Sequence, residues 1–147
     1  MTTKLKTTWN GNMKGNGTIK SDRLDTPIAI PNSLGGTGDG TDPKSLLIAS
    51  AAACYSMTLV AILQNRKLPV SELTMESEVA DFKETGFSID HRLQVNLAPD
   101  ATDEQIDAVK SAFQAADKAC TIGNLLKKAG AQIQIDGSVS VAAPANA

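Results

Sequence analysis

A chain of 147 residues and 15.3 kDa is the size of one domain able to enclose its own core. Its 41% hydrophobic and 20% charged residues are ordinary for a soluble globular protein. A formal net charge of −2 with interspersed signs leaves no basic patch for nucleic acid and no charged tail. Aromatic residues make up only 3%, so aliphatic side chains and alanine must fill the core, and helices must pack closely.

From the start, Met1 to Lys6 runs into Asn and Gly rather than an apolar stretch, which speaks against an ordinary secretory signal and makes the cytoplasm the expected location. Residues 5–9, 17–22 and 27–30 are expected as short strands of an antiparallel meander, separated by turns such as Asn10-Gly11 and Asn16-Gly17. The glycine-dense segment Leu34 to Thr41 lacks the Gly-Lys-Ser/Thr ending of a phosphate loop. Asp42-Pro43 then supplies a helix N-cap and a proline at the first helical position, and the helix should run to about Arg66 and Lys67, before Pro69. Its middle, Ile48 to Met57, is apolar or small on nearly every side, the pattern of a helix buried all round. A domain this small rarely surrounds a helix unaided, so a second chain is expected to cover part of it. Ser50, Cys54, Ser56 and Thr58 interrupt the apolar run, which therefore does not read as a membrane span.

Leu73, Met75 and Val79 alternate with polar residues, as do Phe87, Ile89, His91, Leu93, Val95 and Leu97 after Glu84-Thr85-Gly86, giving two antiparallel strands joined by a hairpin. His91 lies on the apolar face of the second strand and is expected to be packed or hydrogen-bonded there. Thr102 to Gln105 matches a capping box, after which Ile106, Val109 and Phe113 recur at helical spacing to about Ala119. A further helix starts near Cys120 and ends at Gly130, with Lys127 and Lys128 in its last turn. Ile133, Ile135, Val139 and Val141 form a closing strand. Residues 142–147 are expected to fray, leaving a single domain over 1–141.

The two cysteines lie 66 residues apart, so only folding can bring them together. A low-pKa thiolate facing a second thiol is the minimum apparatus of a thiol peroxidase: the first sulfur attacks the O–O bond and the second captures the sulfenic acid. The alternative is two buried, inert small hydrophobes. A zinc site is not expected, since one His and two Cys lack the spacing of ligand pairs.

The order of elements, the segment Leu34-Gly35-Gly36-Thr37-Gly38-Asp39-Gly40-Thr41-Asp42-Pro43, the core Ala51-Ala52-Ala53-Cys54-Tyr55-Ser56-Met57 and the cysteine spacing closely resemble the OsmC/Ohr family of osmotically inducible and organic hydroperoxide resistance proteins, over roughly residues 5–141. The resemblance implies an α+β fold built as an intertwined homodimer, with antiparallel sheets wrapped around long central helices and a site at the subunit interface. It implies a peroxidatic role for Cys54 and a resolving role for Cys120 in reducing organic hydroperoxides. The reductant would be a dithiol such as a lipoylated protein, and no cofactor is implied. A catalytically weak or inactive member, with a small-ligand-binding or redox-sensing stress role, is the alternative reading.

The chain departs from the family pattern in three respects, at four places. Lys44 follows the helix-opening proline, where the family has a glutamate that orients an activating arginine. The two places where that arginine occurs hold Leu34 and the turn Lys14-Gly15-Asn16-Gly17, and the family's C-P-x-S reads Cys120-Thr121-Ile122-Gly123. The arginine matters because a thiol of pKa about 8.5 is only about 3% ionised at pH 7, whereas a pKa of about 6 gives about 90%. Lys44, about 15 Å along the helix axis from Cys54, would have to act from a second chain. Lys14 and Arg23 are the other candidate cations, although Asp22 or Asp25 also lies beside Arg23. Tyr55 and Met57 would line an apolar pocket for an alkyl hydroperoxide, or else belong to the core.

Overall fold

In a computed structural model the described residues, 1–143, form two compact units that divide between Leu47 and Ile48. The tail predicted to fray lies outside the described residues from 144 on, while the Ala142 N–H donates to the Leu97 carbonyl at 2.8 Å.

The first unit is an antiparallel meander of β1 (Lys6–Asn10), β2 (Asn16–Lys20) and β3 (Asp25–Ile28). Gly11 takes φ +90° in the β1–β2 turn, a left-handed conformation that costs glycine little. Trp9 stands opposite Gly17, where a Cβ would come within 2.7 Å of the indole, so glycine there lets the ring lie flat on the sheet. Trp9, Ile19, Ile28, Ile30, Leu34 and Leu46 line an apolar cleft of about 440 Å³.

The helix α1 (Pro43–Asn65) opens as its first residues dictate: Asp42 Oδ1 accepts the Ser45 N–H at 2.7 Å, and the proline occupies a position whose N–H has no helical partner. It stops where Lys67 turns left-handed (φ 57°) two residues before Pro69. By length and composition α1 is apolar enough to cross a membrane. Within this chain, however, it behaves as a core helix with one buried stripe, Ala51, Tyr55, Leu59 and Leu63, at the four-residue spacing of a single face. The expectation of burial all round is therefore corrected for the chain alone: Met57 is 70% and Val60 50% exposed.

In the second unit, β4 (Val70–Lys83) and β5 (Gly86–Leu97) form the expected hairpin, followed by α2 (Asp103–Ala119), α3 (Thr121–Lys128) and β6 (Ala131–Val141). Alternation places Ile89, Leu93, Val95 and Leu97 of β5 in the core and leaves Arg92 and Gln94 in solvent. β6 pairs with β5 in parallel, from Phe87 opposite Ala131 to Leu97 opposite Val141, so this sheet is mixed rather than antiparallel. The reason is the connection: α2 and α3 carry the chain back the length of the sheet before β6 begins, as a parallel pair requires. Tyr55, Leu59 and Leu63 of α1 pack with Val109, Ala112, Phe113 and Ala116 of α2 and with Leu93, Val95 and Leu97 of β5, and Cys120 closes the same cluster. Gly137 of β6 lies against the Phe113 ring, which leaves no room for a Cβ.

Candidate functional site

Cys54 sits midway along α1, partly buried, on the edge of the stripe that Tyr55 anchors. Tyr55 is 1% exposed; its Oη donates to the Phe113 carbonyl at 3.0 Å and its ring stacks on His91 at 5.4 Å and 20°. It is a core residue, the second of the two roles open to it, and burial raises its phenol pKa well above the usual value, with the charges of Asp117 and Cys120 adding to the effect. These contacts fix the rotation of α1 and with it the direction of Cys54.

His91 is buried as expected and shares a 2.7 Å hydrogen bond with Ser77 Oγ through Nδ1. Burial holds its pKa below the ordinary histidine value against the opposing pull of Asp117 and Asp90.

Cys120 is 2% exposed and occupies the single residue between α2 and α3. The capping box places α2: Thr102 Oγ1 accepts the Gln105 N–H at 3.2 Å while Gln105 Oε1 accepts the Thr102 N–H at 2.9 Å. At the other end of α2, Cys120 leaves the helical conformation (φ −73°, ψ 108°) and becomes the N-cap of α3, its Sγ accepting the Gly123 N–H at 3.4 Å. The Asn124 side chain ties the same corner by donating to the Lys118 carbonyl at 2.9 Å.

The fold packs Cys54 against the cluster that holds Cys120, near enough for each thiol to act on the ionisation of the other, and both are free. Burial opposes the ionisation of Cys54. The backbone N–H of Ile122, the Cys120 thiol, the Thr121 N–H and the Thr58 hydroxyl outweigh it, so the Cys54 pKa falls below the ordinary thiol value. The last of these is shared, since the Thr58 hydroxyl donates to the Cys54 carbonyl at 2.7 Å. Cys120 moves the other way: burial raises its pKa, the Gly123 N–H partly offsets this, and the negative charges on Cys54 and Asp117 raise it further. One thiol is thus disposed to be an anion and the other to hold its proton and donate it to the first.

Among the described residues, the groups that lower the Cys54 pKa lie between residues 58 and 122. The candidate cations belong to the first unit. Lys14 is in the β1–β2 turn, where its N–H donates to Asn12 Oδ1 at 2.9 Å. Arg23 is exposed in the β2–β3 turn, which the Ser21 N–H and Leu24 carbonyl close at 2.8 Å. Lys44 stands exposed in the first turn of α1, where its charge helps hold the Asp42 carboxyl below the usual range, behind the larger contribution of the Ser45 hydrogen bonds.

A family model described as OsmC-like protein matches residues 36–136. The chain belongs to the OsmC-like family. It is similar to the uncharacterized protein YmaD of Bacillus subtilis, 33% identical over 141 residues that make up 93% of each chain. Over 72 residues, 47% of this chain and 50% of the other, it is 38% identical to an organic hydroperoxide resistance protein of Xanthomonas axonopodis pv. citri. Among solved structures, an OsmC-like protein of Mycoplasma pneumoniae superposes with a TM-score of 0.69 at 18% identity, covering 95% of this chain and 99% of that one. The organic hydroperoxide resistance protein OhrB of Bacillus subtilis does so with a TM-score of 0.57 at 24% identity, covering 92% and 98%. The OsmC-like fold is common to them, and in this chain the described residues form two three-stranded sheets and three α-helices.

In this OsmC-like chain the groups that favour a Cys54 thiolate are mainly backbone amides at the start of α3, which a search for charged side chains overlooks. The signal for them is that Cys120 directly precedes a helix, so the polar start of that helix travels with the second thiol. Asp117, three residues before Cys120 and ion-paired with Lys127 at 2.9 Å, was also missed.

Proposed function

We propose that this OsmC-like protein is a cytoplasmic, thiol-dependent peroxidase reducing organic hydroperoxides, with Cys54 peroxidatic and Cys120 resolving. The observation that carries the reading is the pairing of a partly exposed, anion-favouring Cys54 with a buried, proton-holding Cys120 across the start of α3. The Cys54 thiolate attacks one peroxide oxygen, the O–O bond breaks, and the alkoxide leaves as the alcohol after taking a proton. The sulfur becomes a sulfenic acid. Cys120 then attacks that sulfur, hydroxide departs as water with the Cys120 proton, and a Cys54–Cys120 disulfide remains. Two thiol groups of a dithiol, such as a lipoylated protein, return it to the reduced state by exchange through a mixed disulfide.

The names of relatives in the family support a peroxide-related stress role. The unburied sides of α1, where Met57 and Val60 are exposed, support a homodimer, in which Met57 would face the substrate beside Cys54. In that assembly Lys44, Lys14 or Arg23 of a second copy would add a cation to the thiolate. The alternative, a redox-sensing or catalytically weak member, rests on Lys44, Leu34 and Gly15 standing where the resemblance puts the Glu and Arg.

Consumption of an alkyl hydroperoxide such as tert-butyl hydroperoxide, followed with a dithiol and with a monothiol reductant, tests the reading. Turnover is expected with the dithiol and none in Cys54→Ser, while Cys120→Ser should halt at the sulfenic acid. Turnover unaffected by Cys54→Ser would overturn it. Oxidation of Cys54 without turnover would select the sensing alternative.

A further inference from the structure

Asp117 stands in the last turn of α2, three residues before Cys120, which caps that helix, a spacing that puts the two on one side of it. Its side chain is only 17% exposed, and it crosses the α2–α3 corner to pair with Lys127 Nζ, 34% exposed, at 2.9 Å. The corner that this pair spans is the one that carries Cys120, whose own Sγ is held by the Gly123 N–H at 3.4 Å. We propose that Asp117 and Lys127 are a positioning pair that sets the pH at which Cys120 gives up its proton, and so governs when the disulfide with Cys54 can close. This rests on the two-cysteine reading above.

The direction follows from Coulomb's law at short range. A carboxylate beside a thiol disfavours the thiolate, and an ammonium on that carboxylate counteracts it. The other titratable groups around Cys120 are Cys54 and Tyr55 of α1, with His91 of β5 stacked on Tyr55; β6 contributes the apolar Ile133 beside Gly123. Tyr55 is neutral throughout the working range, so the charges that act on Cys120 are those of Cys54 and Asp117, and Lys127 acts through its ion pair with Asp117. The raised pKa of Cys120, to which Asp117 contributes, agrees with this arrangement. Chemically the pair acts on the closing step through Cys120, and on Cys54 only through the proton that Cys120 shares with it. Cys120 must lose a proton to become the nucleophile, Cys54 sulfenic acid must gain one to release water, and the pair sets how readily the first occurs.

Substitution should therefore move Cys120 in opposite directions. Removing the carboxylate with Asp117→Asn favours the thiolate; removing the ammonium with Lys127→Met leaves the carboxylate uncompensated and disfavours it. In a Cys54→Ser background Cys120 is the only thiol, and thiolate absorbance near 240 nm titrates it without needing access to a buried sulfur. The midpoint is expected to fall with Asp117→Asn, to rise with Lys127→Met, and to return toward the starting value in the double variant. With Cys54 present, closure after one equivalent of tert-butyl hydroperoxide at pH 7 should be several-fold faster in the first variant and several-fold slower in the second. A pair that only braced the corner would lower stability in both singles and leave the midpoint in place. That result, or a shift of the same sign in both singles, overturns the proposal. Failure of hydroperoxide to close the disulfide in the unsubstituted protein would instead overturn the peroxidase reading, and the titration would still decide the role of the pair.

Discussion

Replacing Tyr55 by phenylalanine separates the core role of this residue from a role beside the substrate. The substitution keeps the ring that stacks on His91 and removes only the hydroxyl that donates to the Phe113 carbonyl at 3.0 Å. A neutral hydrogen bond of this kind contributes about 1 kcal/mol net. The cost should stay near that figure, because the Phe113 carbonyl lies inside α2 and keeps its helical N–H partner four residues on, so no acceptor is orphaned. A loss of that size corresponds to a fall in Tm of about 3 °C for a chain of this length. Urea unfolding should show a lower midpoint with an unchanged slope, since the surface exposed on unfolding is the same. Hydroperoxide turnover should be preserved. By contrast, Tyr55→Ala should cost about 3–5 kcal/mol through the cavity it opens. A loss beyond about 3 kcal/mol in Tyr55→Phe, or turnover reduced tenfold with stability intact, would refute the assignment of Tyr55 to the core.

Further outcomes follow from the same structure. Thr121→Pro removes one of the amides that favour the Cys54 thiolate at a helix position where proline is tolerated, so α3 should persist while the pH profile of Cys54 alkylation moves to higher pH; an unmoved profile would show that the amide does not act on the sulfur. His91 has a folded-state pKa depressed below its unfolded value of 6.5, so its contribution to stability is complete above that pH and is lost as pH falls from there through the folded value. His91→Gln should flatten the decline in stability below pH 6.5 measured by urea titration, and an equal decline in both proteins would rule this out. Gly137→Ala forces a methyl group against the Phe113 ring and should cost about 1–3 kcal/mol, seen as a lower urea midpoint; an unchanged midpoint would mean that the ring has room to move.

Much of this architecture could be read in the residues because local chemistry specified it. Asp42-Pro43 starts α1, Thr102 to Gln105 starts α2, and the alternation through Leu97 gives β5, each through contacts within a few residues. The direction of β6 could not be read that way, since alternation identifies a strand without saying which way it runs, and the parallel pairing depends on the α2–α3 crossover. Nor could the buried face of α1. Its residues are apolar or small almost all round, and only the packing of Tyr55 against Phe113 and His91 selects Ala51, Tyr55, Leu59 and Leu63. At the site, the sequence singled out Cys54 and Cys120 but directed attention to Lys44, Lys14 and Arg23, because charge is visible in a sequence and a backbone N–H is not. Cys120 as N-cap places the amides of Thr121 and Ile122 where they favour the Cys54 thiolate.

Which of the two thiols is the anion decides the chemistry of the pair. Alkylation of the reduced protein across the pH range, with Cys54 and Cys120 resolved by mass spectrometry of their peptides, reads both at once. The order expected is Cys54 half-ionised below the ordinary thiol value of about 8.5 and Cys120 above it. Cys54 titrating at or above that value, or after Cys120, would contradict it.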